Sequence, residues 1–179
     1  GISFDGTGYG SDGTVWGGEF LIASLKDFSR YTYLDPVALP GGDKAIGEPW
    51  RTAFSYLFRY FGRSFDFMSV PSLRKAGEKK LFMLSEMLEK NINCPLSSGA
   101  GRLFDSVSAL LGLCTVETFD SEAPMRLESA IDVKTDEYYP FTAGKPVTFE
   151  ETFRSLLNDM KIRTPAHISA KFHNTLAMV

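Results

Sequence analysis

Apolar and polar positions change their rhythm once along this chain. Three early segments, Gly1–Asp5, Thr14–Ala23 and roughly Phe28–Leu39, are rich in β-branched and aromatic residues. Gly, Asp and Ser separate them, which predicts strands. Pro40-Gly41-Gly42-Asp43 then breaks the pattern as a turn. Beyond it the apolar residues recur at helical spacing. Pro49 suits a first helical turn and is followed by Trp50, Ala53, Phe54, Leu57, Phe58 and Phe61, with Gly62 as the stop. Ser72 is placed to cap a second helix carrying Leu73, Ala76, Leu81, Leu84 and Leu88. A third helix over Gly101–Leu111 has Leu103, Phe104, Val107, Leu110 and Leu111 on one stripe and stops at Gly112. Thr148 and Glu151 have the spacing of a capping box ahead of Phe149, Phe153, Leu156, Leu157 and Met160. Thr164-Pro165 opens a last helix with Ile168, Phe172 and Leu176 on one face. Strands first and helices after them predict an α+β fold, with N-terminal antiparallel strands packed on a mainly helical remainder.

Composition narrows the function classes. The 179 residues suit a single domain, or a single partial domain cut from a larger protein. The chain opens on a strand-like segment without Met, and its last helix has no stop signal, so a piece of a longer protein is expected. A hydrophobic share of 44% argues against disorder, and a net charge of −3 gives no footprint for nucleic acid. No apolar run approaches the roughly 20 residues that span a bilayer. Cys94 and Cys114 form no CxxC pair and are too few for a disulfide framework, which fits a reducing, cytoplasmic setting.

Two small-residue segments carry candidate chemistry. In Asp5-Gly6-Thr7-Gly8-Tyr9-Gly10, followed by Val15-Trp16-Gly17-Gly18-Glu19-Phe20, glycines leave backbone N–H groups open to anionic oxygens. Asp5 closes the first strand and Thr7 adds a hydroxyl, giving a candidate metal ligand beside a phosphate cradle. A dinucleotide fingerprint requires a helix directly after the glycines, and here a strand follows. A glycine-rich hairpin with no ligand is the competing account. The second segment, Ser97-Ser98-Gly99-Ala100-Gly101-Arg102-Leu103-Phe104-Asp105, leads into a helix N-terminus, a natural anion site. Asp105, off the apolar stripe, could accept from ribose hydroxyls or serve as a first-turn acid. Arg102 is either a phosphate contact or a solvated charge.

Other candidates are weaker. His167 and His173 are six positions apart and do not share a helix face as a helical metal pair does, so each is expected to pack against a helical neighbour. Cys114 reads as a small buried hydrophobe. Glu117 and Asp120 are carboxylates of a spacing too common to signify chemistry.

Four segments together resemble one family: DGTGYGSDGTVWGGEFL at Asp5–Leu21, LPGGDKAIGEPWR at Leu39–Arg51, CPLSSGAGRLFDSVSALLGLC at Cys94–Cys114, and KFHNTLA at Lys171–Ala177. They are similar to the C-terminal domain of HypF-type hydrogenase maturation carbamoyltransferases. The resemblance implies part of an actin-like, sugar-kinase-like (ribonuclease H-like) domain, related to the threonylcarbamoyltransferases. It implies that carbamoyl phosphate and ATP yield carbamoyl-adenylate, whose carbamoyl group passes to the C-terminal cysteine of HypE, the partner. It also implies a divalent metal, iron or zinc, in the complete domain, with Asp5 as a ligand. Gly6, Thr7 and Gly8 would line the phosphate or carbamoyl region, Gly101 and Asp105 would hold the nucleotide, and no nucleic acid or membrane is involved.

This chain departs from the family in two ways. After the third helix the family has a Tyr-Glu-Gly-Gln-like turn, whereas here Phe119-Asp120-Ser121-Glu122 puts Ser121 at the glycine. The family's paired histidines precede the DGTGYG strand, and its SGG loop and last metal-binding Asp follow FHNTLA. With neither set present, a half-site with little or no turnover is expected. An antibiotic O-carbamoyltransferase and a non-catalytic interaction module are the alternative readings.

Overall fold

The computed structural model describes residues 1–179. Strands β1 (Ile2–Tyr9), β2 (Val15–Ala23), β3 (Phe28–Tyr33) and β4 (Val37–Ala38) come first. Helices α1 (Asp43–Gly47), α2 (Pro49–Phe61), α3 (Pro71–Ala76) and α4 (Glu78–Glu89) follow, then strand β5 (Leu96–Ser97). Helices α5 (Ala100–Leu110), α6 (Glu122–Ser129), α7 (Glu150–Asp159) and α8 (Pro165–Met178) complete the chain. The five strands form one mixed sheet packed on helices, the α+β arrangement that the change of rhythm predicts.

Strand β2 is the hub of the sheet. Strand β1 pairs with it antiparallel from Ile2↔Phe20 to Tyr9↔Val15. On its other edge β3 pairs antiparallel with Glu19–Ala23, while β5 pairs parallel at Val15↔Ser97 and carries β4 antiparallel beside it. The hairpin turn is closed by the Gly10 amide donating to the Thr14 carbonyl at 3.0 Å, and Gly13 takes φ +80°, where glycine is unstrained. A strand, not a helix, therefore follows Gly10. The expected third strand, Phe28–Leu39, divides at Leu34–Pro36 into β3 and the short β4.

The helical half holds the core. Helix α2 starts with Pro49 at its first turn and buries every residue from Pro49 to Leu57, because α5 and its neighbours enclose it. Its Tyr56 ring stacks on Phe153 of α7 at 5.0 Å. Thr164 caps α8 as expected, accepting from the His167 amide at 3.3 Å. Two other predicted caps are not formed. The segment after Ser72 is two helices, because Gly77 at φ +92° interrupts it, and Ser72 lies inside α3 with its hydroxyl unpartnered. Thr148 forms an isolated bridge with Thr142, so α7 begins one residue later, behind Phe149, without a side-chain cap.

Candidate functional site

The first candidate segment is strand rather than loop. Pairing runs through it, but Phe4 faces Gly18 and Gly8 faces Trp16, so four residues of β1 advance against two of β2. The surplus is a bulge at Asp5-Gly6-Thr7, a device that turns backbone out of a sheet and recurs beside binding sites. Here it turns toward the start of α5. A Cβ on Gly101 would lie 2.7 Å from the Gly6 Cα, and one on Gly99 would strike the Gly6 carbonyl oxygen. From below, a Cβ on Gly17 would lie 2.6 Å from the Asp5 carbonyl and 3.0 Å from the Gly99 Cα. These glycines let two strands and a helix end meet backbone to backbone, and any side chain there would part them.

The meeting place opens as a 240 Å³ cleft lined by Phe4, Asp5, Gly6, Ala100, Gly101, Arg102, Phe104, Ser121 and Pro124. Both candidate segments are therefore in one site. At that volume it is a wall of a ligand site rather than an enclosing pocket, since pockets for drug-sized ligands span about 300–1,000 Å³. A larger cavity of 670 Å³ lies elsewhere, between the end of α2 and α7, and contains none of the candidate residues.

Of the residues singled out from sequence, Asp5, Gly6 and Gly101 line the cleft. The exposed Asp5 carboxylate accepts from the Gly6 amide at 2.6 Å. Thr7 and Gly8 lie outside the cleft, Gly8 being packed under the Trp16 carbonyl. Asp105 is not on an open face: it is 1% exposed and enclosed beneath the cleft. Helix α6, which the apolar pattern does not reveal, packs against α5. Burial pushes the Asp105 carboxyl up to about 7, against the opposing pull of Arg102 and with a smaller push from Glu117. Arg102 is not a solvated charge either, being 7% exposed. Its Nη1 lies 3.1 Å from Asp105 Oδ2, but neither carboxylate oxygen and neither Nε nor Nη1 has a hydrogen-bond partner.

Ser121 stands on the rim of the cleft in the left-handed region, φ +63° and ψ 22°. Glu122 turns away, accepting from the Thr118 amide and hydroxyl and pairing with Arg126. His173 packs on Phe104, its Nδ1 2.8 Å from the Ser169 carbonyl, while His167 lies 3.4 Å from Glu137. Cys94 and Cys114 are free, buried thiols, and burial raises both. No group of three or more His, Cys, Asp or Glu side chains is placed to hold a metal ion, so these residues alone do not build a metal centre and Asp5 contributes one ligand at most.

One element of the site escapes the sequence reading. Glu19, 2% exposed, accepts from the Gly17 and Gly18 amides at 2.6 and 2.8 Å through Oε2. Its Oε1 accepts from Ser98 Oγ at 2.5 Å and from Arg30 Nη2 at 2.7 Å. Arg30 reaches on to Asp12 and lies over the rings of Trp16 and Tyr33. This network clamps the glycines of β2 to the loop entering α5. The signal for it was a lone carboxylate within an apolar strand.

A mixed sheet packed on a helical body fits a Kae1-like, actin-like domain, and the chain matches the family described as "Carbamoyltransferase, Kae1-like Domain, second subdomain" over residues 1–179. It is 34% identical to the carbamoyltransferase HypF of Synechocystis over 98% of its length and 25% of that protein's. It is 46% identical to HypF of Rhodobacter capsulatus over 72% of its length and 17% of the relative's. The crystal structure of full-length HypF in a phosphate- and nucleotide-bound form superposes with a TM-score of 0.90 at 35% identity, over 99% of this chain and 28% of that one. The T. kodakarensis HypF structure superposes at 0.78, with 32% identity, over 94% of this chain and 23% of that one. This chain belongs to the HypF carbamoyltransferase family and spans about a quarter of the length of its full-coverage relatives. No helix in it is long and apolar enough to cross a membrane.

Proposed function

We propose that the cleft is one wall of the nucleotide site of a HypF-type carbamoyltransferase. The complete enzyme forms carbamoyl-adenylate from carbamoyl phosphate and ATP and passes the carbamoyl group to the C-terminal cysteine thiol of HypE. One observation carries the reading: the Asp5-Gly6 bulge and the Gly99–Arg102 helix start converge on a single cleft, with glycines at their closest backbone approach. A related HypF binds phosphate and nucleotide, which supports the assignment.

The chain's own residues supply binding and orientation. The N–H groups at the start of α5, which has no side-chain cap, offer donors and a favourable dipole to an anionic oxygen. Gly6 and Gly101 keep that approach free of side chains. Asp5 stands across the cleft as a carboxylate able to share a divalent metal with groups from the rest of the protein, and no step is derived through that metal. In the transfer itself the thiol gives up its proton to water, its sulfur bonds to the carbamoyl carbon, the bond from that carbon to the adenylate phosphate oxygen breaks, and AMP leaves. The geometry here serves to hold the departing adenylate in place.

The relatives are named as HypF carbamoyltransferases, which supports a HypF-type reading over antibiotic O-carbamoylation. The isolated chain, with Asp5 as its one candidate metal ligand, is proposed to lack turnover. In the full-length protein Asp5→Ala should abolish carbamoylation of HypE while leaving the fold intact. Unchanged transfer by that variant, measured by mass spectrometry of HypE, would count against the site.

A further inference from the structure

Arg30 ties its own strand to the β1–β2 turn, to β2 and to the loop entering α5, although it lies in neither glycine segment. Its placement begins with register. Phe20 pairs with Thr32 but Leu21 pairs with Arg30, so Tyr31 is an extra residue on β3. In a regular strand alternate residues share a face, and Tyr31 would stand beside Tyr33. The bulge puts Arg30 there instead, on the side of Glu19, which pairs with Tyr33, and leaves Tyr31 54% exposed. The guanidinium lies 3.7 Å from the centre of the Tyr33 ring and 4.3 Å from that of Trp16. Its Nη1 donates to Asp12 at 3.0 Å, and its Nη2 donates to Glu19 Oε1 at 2.7 Å and to Ser98 Oγ at 3.0 Å.

Arg30 is the cation paired with the buried Glu19 carboxylate, and losing one partner of a buried pair leaves the other uncompensated. Through its other oxygen Glu19 holds the Gly17 and Gly18 amides, and Gly17 abuts the Asp5 carbonyl and Gly99. Ser98, bonded to both Glu19 and Arg30, precedes Gly99 at the start of α5. We propose that Arg30 is a positioning residue for carbamoyl transfer. Through Glu19 and Ser98 it fixes the spacing between the Asp5-Gly6 bulge and the start of α5, and with that spacing the rate. Arg30 does not line the cleft, so its part is alignment and not contact. This rests on the carbamoyl-transfer reading above and deepens it by naming a residue that governs rate from behind the site. A misplacement of about 1 Å is enough to cost roughly 100-fold in rate.

Steady-state kinetics of HypE carbamoylation by the full-length protein, with carbamoyl phosphate and ATP, test this below the unfolding transition of each variant. Arg30→Met should lower kcat roughly 10- to 100-fold and move the KM for HypE by less than about threefold. Arg30→Lys keeps the charge but loses the planar fork, so its kcat should fall between those of wild type and Arg30→Met. Glu19→Gln removes the charge that Arg30→Met leaves unpaired. The double variant should therefore turn over faster than the product of the two single losses allows. A merely structural Arg30 would lower the denaturant midpoint while the folded variant kept the wild-type kcat, and that result would overturn the proposal. Strictly multiplicative losses, or a raised KM with kcat unchanged, would overturn it as well. If Arg30→Met does not fold, Arg30→Lys decides: a lowered kcat in a folded protein supports the proposal, and a wild-type kcat refutes it. A wild-type protein that carbamoylates no HypE would overturn the transfer reading, and this proposal with it.

Discussion

The sheet and the helical body of this chain are held together by different forces. All but three of the 27 residues in the buried apolar core come from Ala45 onward; the exceptions are Leu34, Val37 and Leu39, and β1, β2 and β3 contribute none. Those strands instead leave Ile2, Tyr9, Ile22, Phe28 and Tyr31 exposed. What fixes them is backbone contact at glycines and the carboxylate of Glu19 with its four donors. Apolar packing tolerates small shape changes, whereas a directional polar clamp fixes positions but fails when one partner is lost. The cleft lies where the two regimes meet, which suits a binding wall that must be placed accurately on a stable body.

The contrast can be broken most forcefully from the helical side. Phe153→Ala empties a fully buried site against Tyr56 and should cost about 4 kcal/mol, seen as a cooperative fall in denaturant midpoint across all probes. A buried charge placed at the junction makes the next test. Because the folded Asp105 is raised from 3.8 to about 7, ionisation favours the unfolded chain, so stability should decline as pH rises from about 4 to about 7 and then level off. Asp105→Asn should remove that decline and stabilise the protein above pH 7 by up to a few kcal/mol, read from melting curves across pH. A flat wild-type profile would contradict the enclosed carboxyl.

On the sheet side, Glu19→Ala strands two amides, a hydroxyl and the Arg30 guanidinium, and should cost about 3 kcal/mol. Its signature sharpens the comparison: hydrogen exchange should speed up at Gly17 and Gly18 and along β1, with α2 and α5 still protected. Uniform loss of protection would show that the clamp is no separate unit. The smallest effect is expected at the rim. Ser121→Gly relieves a left-handed serine and should stabilise by about 1 kcal/mol.

The physical reasons for what sequence revealed follow the same division. Helices α2, α5 and α8 were legible because apolar spacing reports directly on a core face, and proline or threonine marked the starts of α2 and α8. The two glycine segments were legible as chemistry because small residues at that density have few purposes. Their geometry was not: the bulge at Asp5–Thr7 is a matter of register, set by what β2 pairs with, and no local pattern encodes it. The enclosure of Asp105 was hidden for a similar reason. A polar residue off an apolar stripe carries no mark of what packs over it, and α6, short and mostly polar, has too weak a stripe to announce itself. Glu19 was passed over because only the folded backbone shows that four donors converge on it.

The central claim is that the bulge of β1 and the start of α5 form one nucleotide-binding wall. A crystal structure of the full-length protein with AMP tests it most directly. The account predicts the nucleotide against Gly6 and Gly101. AMP seated instead in the 670 Å³ cavity beside Tyr60, Phe65 and Met160, with the cleft empty, would contradict it.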